Sequence, residues 1–358
     1  MRKNPSSPLL SIVIRTVSRR YPIVKKVLEH IDKTDLGLSI ADFEVVVSED
    51  GPPYALSEAM LNEGLSRIKV AYTPNTRTRG MSANRNAGAL AARGEYLVFI
   101  DDDVLLPPNV LQATLNTLMD LGKDAILTMP FERVTHIAID SSSSPPYWIK
   151  LLIPDRIPGE GALSPVLSNP SIRPTNIVHG RFIGIAKSTY MQIGGYLEIV
   201  HDKDVGPYFS YFTDDIYFGY KAQELGHPIY ALEMTVGHLE DHVYTTEGFI
   251  KRLEAMSFGD MLLNRLYPEK GPVLHAALFY PSNPFLRAWR VGRGEICAFL
   301  LPILSFLAKR KAISTFLTRL LAHALWIGAV YKGIKEAKRS KFQYVLIHQP
   351  PLREVAHA

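Results

Sequence analysis

The stretch that decides the fold is EYLVFIDDDVLLPP, residues 95–108, in which an apolar run ends in three consecutive aspartates. The run is short and rich in strand-forming residues, which predicts a buried strand. Pro107 and Pro108 end that strand and are typical of the start of a helix. Three carboxylates so close together repel one another unless a cation neutralises them. The stretch therefore predicts a strand whose end binds a cation.

Similar strand-like runs occur on both sides of this stretch. From residue 9 to about residue 130, short apolar runs alternate with longer helical patterns. This alternation predicts βαβ units and a mostly parallel sheet covered by helices on both faces, an α/β fold. Ligands of such open sheets bind at the carboxyl ends of the strands. Polar residues follow the strand-like runs, including Thr16 after the first and Asp50 after the second. We expect the functional site along that edge.

Strand geometry suggests how the three aspartates divide their roles. Alternate side chains of a strand face the same way, so Asp101 and Asp103 are expected to face one metal ion while Asp102 points elsewhere. Carboxylate oxygens suit Mg²⁺ or Mn²⁺, which leave room for substrate phosphates. The alternative is an aspartate-rich turn that only caps and solvates the strand end.

Composition narrows the function classes. The chain has 358 residues, is 47% hydrophobic and carries a net charge of +5. Its basic residues form no concentrated tract before the last third, so we predict no nucleic-acid partner. Cys297 is the only cysteine, which favours a reducing compartment. The first apolar run is short and interrupted by Arg15, unlike a signal peptide. These features predict a cytoplasmic protein.

Two later regions have a different character. Residues 131–178 are rich in serine, proline and glycine, and we expect a long loop that acts as an acceptor lid. In the last third, apolar runs alternate with lysine and arginine. The run at 296–308 is too short to span a bilayer, and the next contains Arg319 and His323. We expect amphipathic helices that contact the membrane surface through residues 296–340. The alternative is a buried helical pair, packed on the domain or in a dimer.

Five segments together resemble the family 2 glycosyltransferases, which have the Rossmann-like GT-A fold. They are SIVIRTVSRRYPIVKKVLEHI (11–31), FEVVVSEDG (43–51), RGMSANRNAGALAARGEYLVFIDDDVLLPPNVL (79–111), GRFIGIAKSTYMQIGGYLE (180–198) and FTDDIYFGYKAQELG (212–226). Their order is that of the family. The resemblance implies an inverting, metal-dependent enzyme that uses a nucleoside diphosphate sugar.

The resemblance also implies roles for individual residues. The implied roles are Thr16 and Asp50 near the nucleotide base, Arg85 and Asn86 near the diphosphate, Asp101 and Asp103 on Mn²⁺ or Mg²⁺ with His238, and Asp215 as the general base. We further expect Asp102 near the sugar or ribose hydroxyls and Gly194, Gly195 and Asp214 on the acceptor side, where the simplest alternative for the two glycines is a turn. The sequence departs from the family pattern at Ser18, where asparagine is frequent, and at Tyr217, where an acidic residue is frequent.

The predicted organisation follows from these regions. The predicted parts are a GT-A catalytic domain at 1–240, a helical acceptor-side extension at 241–295, amphipathic helices at 296–345 and a tail at 346–358. We expect a peripheral protein on the inner face of the cell membrane. It would transfer sugar to a hydroxyl of a glycan or lipid-linked acceptor in cell-envelope or polysaccharide biosynthesis.

Two alternatives stay open at this point. The strand-end acids also resemble those of haloacid-dehalogenase phosphatases, and a sugar nucleotidyltransferase would use similar acids. A non-catalytic nucleotide-binding subunit is the other alternative. The donor, the acceptor, the linkage, the choice of metal and the oligomeric state are left open by the sequence.

Overall fold

The computed structural model describes residues 8–134, 170–201, 213–239, 246–270, 277–308, 315–339 and 342–345. In chain order the strands are β1 (Leu10–Thr16), β2 (Phe43–Glu49), β3 (Val70–Pro74), β4 (Tyr96–Asp101), β5 (Val104–Leu105), β6 (Ile126–Thr128), β7 (Phe131–Val134), β8 (Ile172–Pro174), β9 (Phe182–Ala186), β10 (Glu198–His201), β11 (Ile229–Leu232), β12 (Val236–Leu239) and β13 (Phe342–Val345). The α-helices are α1 (Tyr21–Lys33), α2 (Glu58–Asn62), α3 (Met81–Ala91), α4 (Val110–Leu121), α5 (Lys187–Ile193), α6 (Thr213–Glu224), α7 (Thr246–Leu266), α8 (Pro284–Ala308) and α9 (Thr315–Arg339).

The central sheet has the order β3-β2-β1-β4-β9-β6-β11-β8 within the described residues. Strands β3, β2, β1 and β4 are mutually parallel. Strand β9 runs antiparallel between β4 and β6. The α/β prediction, with a mostly parallel sheet and flanking helices, is thereby confirmed. The carboxyl ends of β1, β2 and β4 meet at one edge, where Arg15 is opposite Asp101.

Both faces of the sheet are covered, which explains why its strands read as unbroken apolar runs. Successive side chains of β1 enter opposite cores: Ile12 and Ile14 belong to the larger cluster, and Val13 belongs to the cluster on the other face. Residues of α1 and α4 pack in the first cluster. The second contains residues of α3, α5 and α6.

Two small sheets complete the edge near the aspartates. Strand β12 pairs with β5 and β7, which sets His238 opposite Val104, the residue after Asp103. Strand β13 returns from the last helix and pairs antiparallel with β10, so that Phe342 lies opposite His201. The C-terminal end of the described chain therefore pairs with β10, a strand that follows the central-sheet strand β9.

The three C-terminal helices form a layered bundle. Helix α9 lies between α7 and α8, and α7 also contacts α6. The layers approach closely because glycines face the neighbouring backbone: a side chain at Gly333 would clash with the Glu254 carbonyl, and one at Gly328 with the Cys297 carbonyl. Among the helices described, none combines the length and apolar character needed to cross a membrane. Helix α8 begins at Pro284, before the region predicted to start at residue 296.

The predicted lid at 131–178 is described only in part. Strands β7 and β8 lie at its two ends, and residues 135–169 fall outside the described residues. The predicted tail at 346–358 also lies outside the described residues.

Candidate active site

The three aspartates stand at the end of β4, but the strand itself stops at Asp101. Asp102 and Asp103 form the turn before β5. The strand alternation expected from the sequence therefore does not reach Asp103. Instead, Arg20 joins the last two carboxylates: its Nε lies 2.8 Å from Asp102 Oδ2, and its Nη2 lies 2.7 Å from Asp103 Oδ2. The Thr16 hydroxyl also donates to Asp102 Oδ2, at 2.6 Å.

Asp101 is paired with other cations. Its Oδ1 lies 2.9 Å from Arg15 Nη2 and 3.0 Å from Arg85 Nη2. All three carboxylates of the triplet are thus close to arginine side chains. Burial raises the pKa of Asp102, although the charge of Arg20 opposes that shift.

The environment of Asp103 fits a cation on chemical grounds. Asp103 Oδ1 is buried, accepts no hydrogen bond and lies 3.4 Å from Nε2 of His238. Burial opposes ionisation of Asp103, but His238 and Arg20 outweigh it and hold the pKa of that carboxyl well below its usual range. An ionised carboxylate beside an imidazole is a suitable donor pair for Mn²⁺ or Mg²⁺. Over the part of the chain that is described, no three acidic, histidine or cysteine side chains converge on one metal-sized point.

Arg85 connects the aspartate triplet to α6. Its position is the second turn of α3, and the side chain is buried. In addition to Asp101, Arg85 reaches Asp214, with Nη1 2.6 Å from Oδ2, and its guanidinium lies 4.7 Å from the centre of the Tyr196 ring. One arginine thus joins the end of β4 to the first turn of α6.

Asp215 is held by two donors, and its side chain is partly buried. Its Oδ2 accepts a hydrogen bond from the Gly180 backbone N–H at 3.0 Å, and its Oδ1 accepts one from the Tyr196 hydroxyl at 3.3 Å. Burial, followed by the charge of Asp214, raises the pKa of Asp215 to about 7. A carboxyl group with that pKa can exchange a proton near neutral pH. A side chain at Gly180 would clash with the Asp215 carboxylate, so the position requires glycine.

Asn86 has a different environment from its neighbour Arg85. It is fully buried, and its amide nitrogen donates to the Tyr196 carbonyl and to Glu198 at 2.8 Å each. Its amide oxygen accepts from the Tyr190 hydroxyl and the Tyr196 N–H. These bonds satisfy the amide within the core. In this arrangement Asn86 holds the start of β10 in place.

Asp50 braces the loop that leads into α3. Its Oδ1 accepts from the Asn75 side chain at 2.9 Å, and its Oδ2 accepts from the Gly80 N–H at 3.0 Å. Burial raises its pKa.

Gly194 and Gly195 end α5 with φ of 94° and 68°, a conformation that favours glycine. They turn the chain into the segment that begins with Tyr196.

The structure brings most of the predicted residues to one edge and adds partners that the sequence analysis missed. The added partners are Arg15, Arg20, Gly180 and Tyr196. One signal was present: three adjacent buried acids require compensating charge, and Arg15 and Arg20 flank the end of the first strand. Tyr196 gave no such signal, because a tyrosine after two glycines reads as a core residue.

Comparison with known proteins agrees with this arrangement. Residues 11–156 match the family described as Glycosyl transferase family 2. An uncharacterized glycosyltransferase of Rickettsia typhi is 23% identical over 335 residues, which is 89% of this chain and 97% of that protein. A Campylobacter jejuni protein named GalNAc(5)-diNAcBac-PP-undecaprenol beta-1,3-glucosyltransferase is 28% identical over 118 residues, 33% of this chain and 35% of its own.

Among solved structures, a mannosyltransferase of Pyrobaculum calidifontis in complex with GDP-Man and Mn²⁺ resembles this chain with a TM-score of 0.50. The identity is 17%, and the match covers 91% of this chain and 87% of the other. This likeness concerns the fold. The sheet order, the strand-end acids and the matches together define a glycosyltransferase of the GT-A fold. The part of the chain that matches glycosyltransferase family 2 is residues 11–156. These matches favour a glycosyltransferase over the phosphatase, nucleotidyltransferase and non-catalytic alternatives.

Proposed function

We propose that this chain is an inverting, metal-dependent glycosyltransferase that transfers sugar from a nucleoside diphosphate sugar to a hydroxyl of a glycan or lipid-linked acceptor. The observation that carries the proposal is Asp215, a carboxyl group whose side chain is 16% exposed and whose pKa is raised to about 7 by desolvation and by the charge of Asp214. It lies 3.7 Å from Nη1 of Arg85, which also contacts Asp101. A base and a cation-binding acid cluster on one edge are the two parts that such a transfer needs.

Asp215 is the proposed general base. A base is most effective when its pKa lies near the working pH, because it is then ionised and still takes up a proton readily. In the proposed step, Asp215 accepts the proton of the acceptor hydroxyl as its oxygen bonds to the anomeric carbon. The bond from that carbon to the diphosphate breaks, and its electron pair leaves with the nucleoside diphosphate. A single displacement of this kind inverts the anomeric centre.

The donor side of the proposal rests on the edge of the sheet. Asp101, Asp103 and His238 would hold Mn²⁺ or Mg²⁺, with Asp102 near the sugar or ribose hydroxyls. A divalent ion in such a site stabilises the negative charge of a leaving diphosphate. Thr16 and Asp50 are the proposed neighbours of the base, and Arg85 and Asn86 those of the diphosphate. Of these two, Arg85 is the better candidate for contact with the diphosphate, because the Asn86 amide already donates to the Tyr196 carbonyl and to Glu198 within the core.

The acceptor and the setting are proposed on broader grounds. The Campylobacter relative acts on an undecaprenol-linked acceptor according to its name, which supports a lipid-linked acceptor and a role in cell-envelope or polysaccharide biosynthesis. Gly194, Gly195 and Asp214 are the proposed acceptor-side residues. We assign the catalytic domain to residues 1–240 and the acceptor-side extension to 241–295. The enzyme would work on the inner face of the cell membrane.

A donor screen tests the proposal. The protein is incubated with a panel of nucleoside diphosphate sugars and Mn²⁺, and release of nucleoside diphosphate is measured with and without a chelator. We expect turnover with a restricted set of donors and its loss on chelation. NMR of the transferred sugar should show inverted anomeric configuration. Retained configuration, or turnover that a chelator does not affect, would contradict the proposal.

A further inference from the structure

The outermost helix of the C-terminal bundle, α8, carries a line of exposed apolar side chains. They are Phe285, Trp289, Ile296, Phe299, Ile303 and Phe306. Their spacing alternates between three and four residues, with Gly292 in the remaining position. At 3.6 residues per turn, these positions lie within an arc of about 100°. We call this set the outer stripe of α8. Phe285 is 85% exposed and Phe299 82% exposed, which is unusual for side chains of this size.

The outer stripe is not the face by which α8 packs. Gly294 and Leu301 lie on the opposite side of the helix, where Leu301 is buried in the cluster shared with α9. A side chain at Gly294 would clash with the Tyr331 ring of α9. The helix is therefore fixed in place by its inner face. Its outer face remains apolar along its length.

The first turns of α9 extend the exposed apolar surface. Phe316, Leu317 and Leu320 are all exposed there. An exposed apolar surface of this extent marks a site that binds another protein or a membrane. The exposed apolar side chains run from Phe285 to Leu320, so the surface begins and ends earlier in the chain than the segment at 296–340 that the sequence indicated.

The charge of the region identifies the kind of partner. Residues 284–339 contain eleven lysines and arginines and two glutamates, a net charge of +9, whereas the whole chain carries +5. The rest of the chain is therefore net negative. Arg293 lies with its guanidinium 4.9 Å from the centre of the Trp289 ring, at the border of the stripe. Tryptophan beside basic side chains is typical of the water–lipid boundary.

We propose that the outer stripe of α8, together with the exposed start of α9, binds the headgroup layer of an anionic phospholipid membrane. The helix lies in the plane of the membrane with its apolar side chains at the acyl boundary and its basic side chains near the lipid phosphates. A second copy of this chain is the less suitable occupant, because two such faces would bring like charges together. The proposal does not depend on which sugar or acceptor the enzyme uses.

Flotation with lipid vesicles tests this proposal on the full chain. The probes are vesicles of phosphatidylcholine alone and of equal parts phosphatidylcholine and phosphatidylglycerol. The test variant combines Trp289→Ser, Phe299→Ser and Ile303→Ser. The matched control combines Leu90→Ser, Met119→Ser and Leu225→Ser, which remove exposed apolar side chains elsewhere. Melting curves and nucleotide-sugar hydrolysis show whether each variant is folded and active.

We expect the wild type and the control to float with the phosphatidylglycerol vesicles, less so at high salt, and the test variant to lose about tenfold or more in partitioning. Donor hydrolysis should be unchanged in both variants, so a failure of membrane binding is distinct from a failure of the proposed reaction. A wild type that does not float, or a test variant that floats equally well, would overturn the proposal. So would a dimer in sedimentation velocity that the test variant dissociates while vesicle binding is unaffected.

Discussion

The candidate catalytic edge, where Asp101 to Asp103 stand at the end of β4, and the outer stripe of α8 depart from the usual pattern of burial in opposite ways. At the edge, charged side chains such as Arg85, Asp102 and Asp103 are buried. On α8, aromatic side chains such as Phe299 are exposed. Buried charges cost stability unless they are paired, and a large exposed apolar patch marks a surface that binds another molecule or a membrane. At the edge the compensation is visible as ion pairs with arginines. On α8, rings such as Phe299 stay largely exposed among the residues that the structure describes, and we assign their cover to a membrane.

The two regions are also physically connected. Strand β13 follows α9 and pairs with β10, whose first residue is Glu198. Glu198 accepts hydrogen bonds from Asn86 and from the Thr78 hydroxyl, and it forms an ion pair with Arg77. The C-terminal helices are therefore anchored at both ends, since α7 also contacts α6. The outer stripe of α8 is therefore connected, through α9 and α7, to the helix α6 that carries Asp214 and Asp215.

The largest expected effect is at the edge. Asp215→Asn keeps one oxygen, which can still accept from the Gly180 N–H, and its NH2 group can donate to the Tyr196 hydroxyl oxygen, but the proposed base is removed. We expect the transfer rate to fall by about 10²–10⁴-fold, with binding of the donor largely intact. Steady-state kinetics and calorimetry of donor binding check both parts. Asp120→Asn, at an exposed position of α4, is the matched control and should leave both unchanged. Loss of donor binding in Asp215→Asn would remove the role assigned to Asp215.

The next effect contrasts the inner and outer faces of the C-terminal bundle. Leu325 on α9 is fully buried, so Leu325→Ala leaves a cavity and should lower the free energy of unfolding by about 2–5 kcal/mol. Phe299→Ala removes a larger side chain from the outer stripe, but it should change the free energy of unfolding by less than about 0.5 kcal/mol. Urea denaturation in the absence of lipid measures both. Comparable losses would mean that the stripe is part of the core.

A smaller effect concerns the pH dependence of the rate. With Asp215 as the proposed base, the rate should rise as the pH increases through about 7, where the carboxyl group becomes ionised. The charge of Asp214 raises that pKa, so Asp214→Asn should lower it and move the rise of the rate toward lower pH by roughly one unit. A pH–rate profile of both proteins provides the measurement. A shift toward higher pH would contradict the assigned cause.

The smallest expected effect is that of a single hydrogen bond. Tyr196→Phe keeps the ring in the core and removes the hydroxyl that donates to Asp215 at 3.3 Å. A lost donor favours the protonated carboxyl group, so the pH–rate profile should move toward higher pH. The rate at the optimum should fall by about tenfold or less. An unchanged profile would show that the hydroxyl does not act on Asp215. Tyr267→Phe, at a tyrosine remote from Asp215 in the contacts with α6, is the control.

Much of the fold could be predicted from the sequence because its cause is local. The strands β1, β2 and β4 are covered on both faces, so each is an unbroken apolar run. Gly194 and Gly195 likewise mark the end of α5, and Pro107 and Pro108 precede α4. Strand β13 could not be predicted in this way. It has four residues after a long helix, and its pairing with β10 joins segments far apart in the chain.

The candidate site shows the same limit. The positions of Asp101 and Asp215 follow from strand and helix patterns and from the family resemblance. The partner of Asp102 and Asp103 is Arg20, which is more than eighty positions away, and only the folded chain brings it there. The close contact between Gly180 and Asp215 likewise depends on how α6 packs on the sheet. Contacts of this kind depend on tertiary packing and leave no local pattern.

The central claim is that the strand-end acids hold a divalent ion against a nucleoside diphosphate, and calorimetry tests it most directly. UDP and GDP are titrated into the protein with and without Mn²⁺, using the wild type, Asp103→Asn and Arg20→Gln. Both substitutions break the same ion pair, but only the first removes a proposed ligand. We predict that one of the nucleotides binds only with Mn²⁺, that Asp103→Asn weakens this binding by about tenfold or more, and that Arg20→Gln binds at least as well as the wild type. Binding that is independent of Mn²⁺, or undiminished in Asp103→Asn, would contradict the claim.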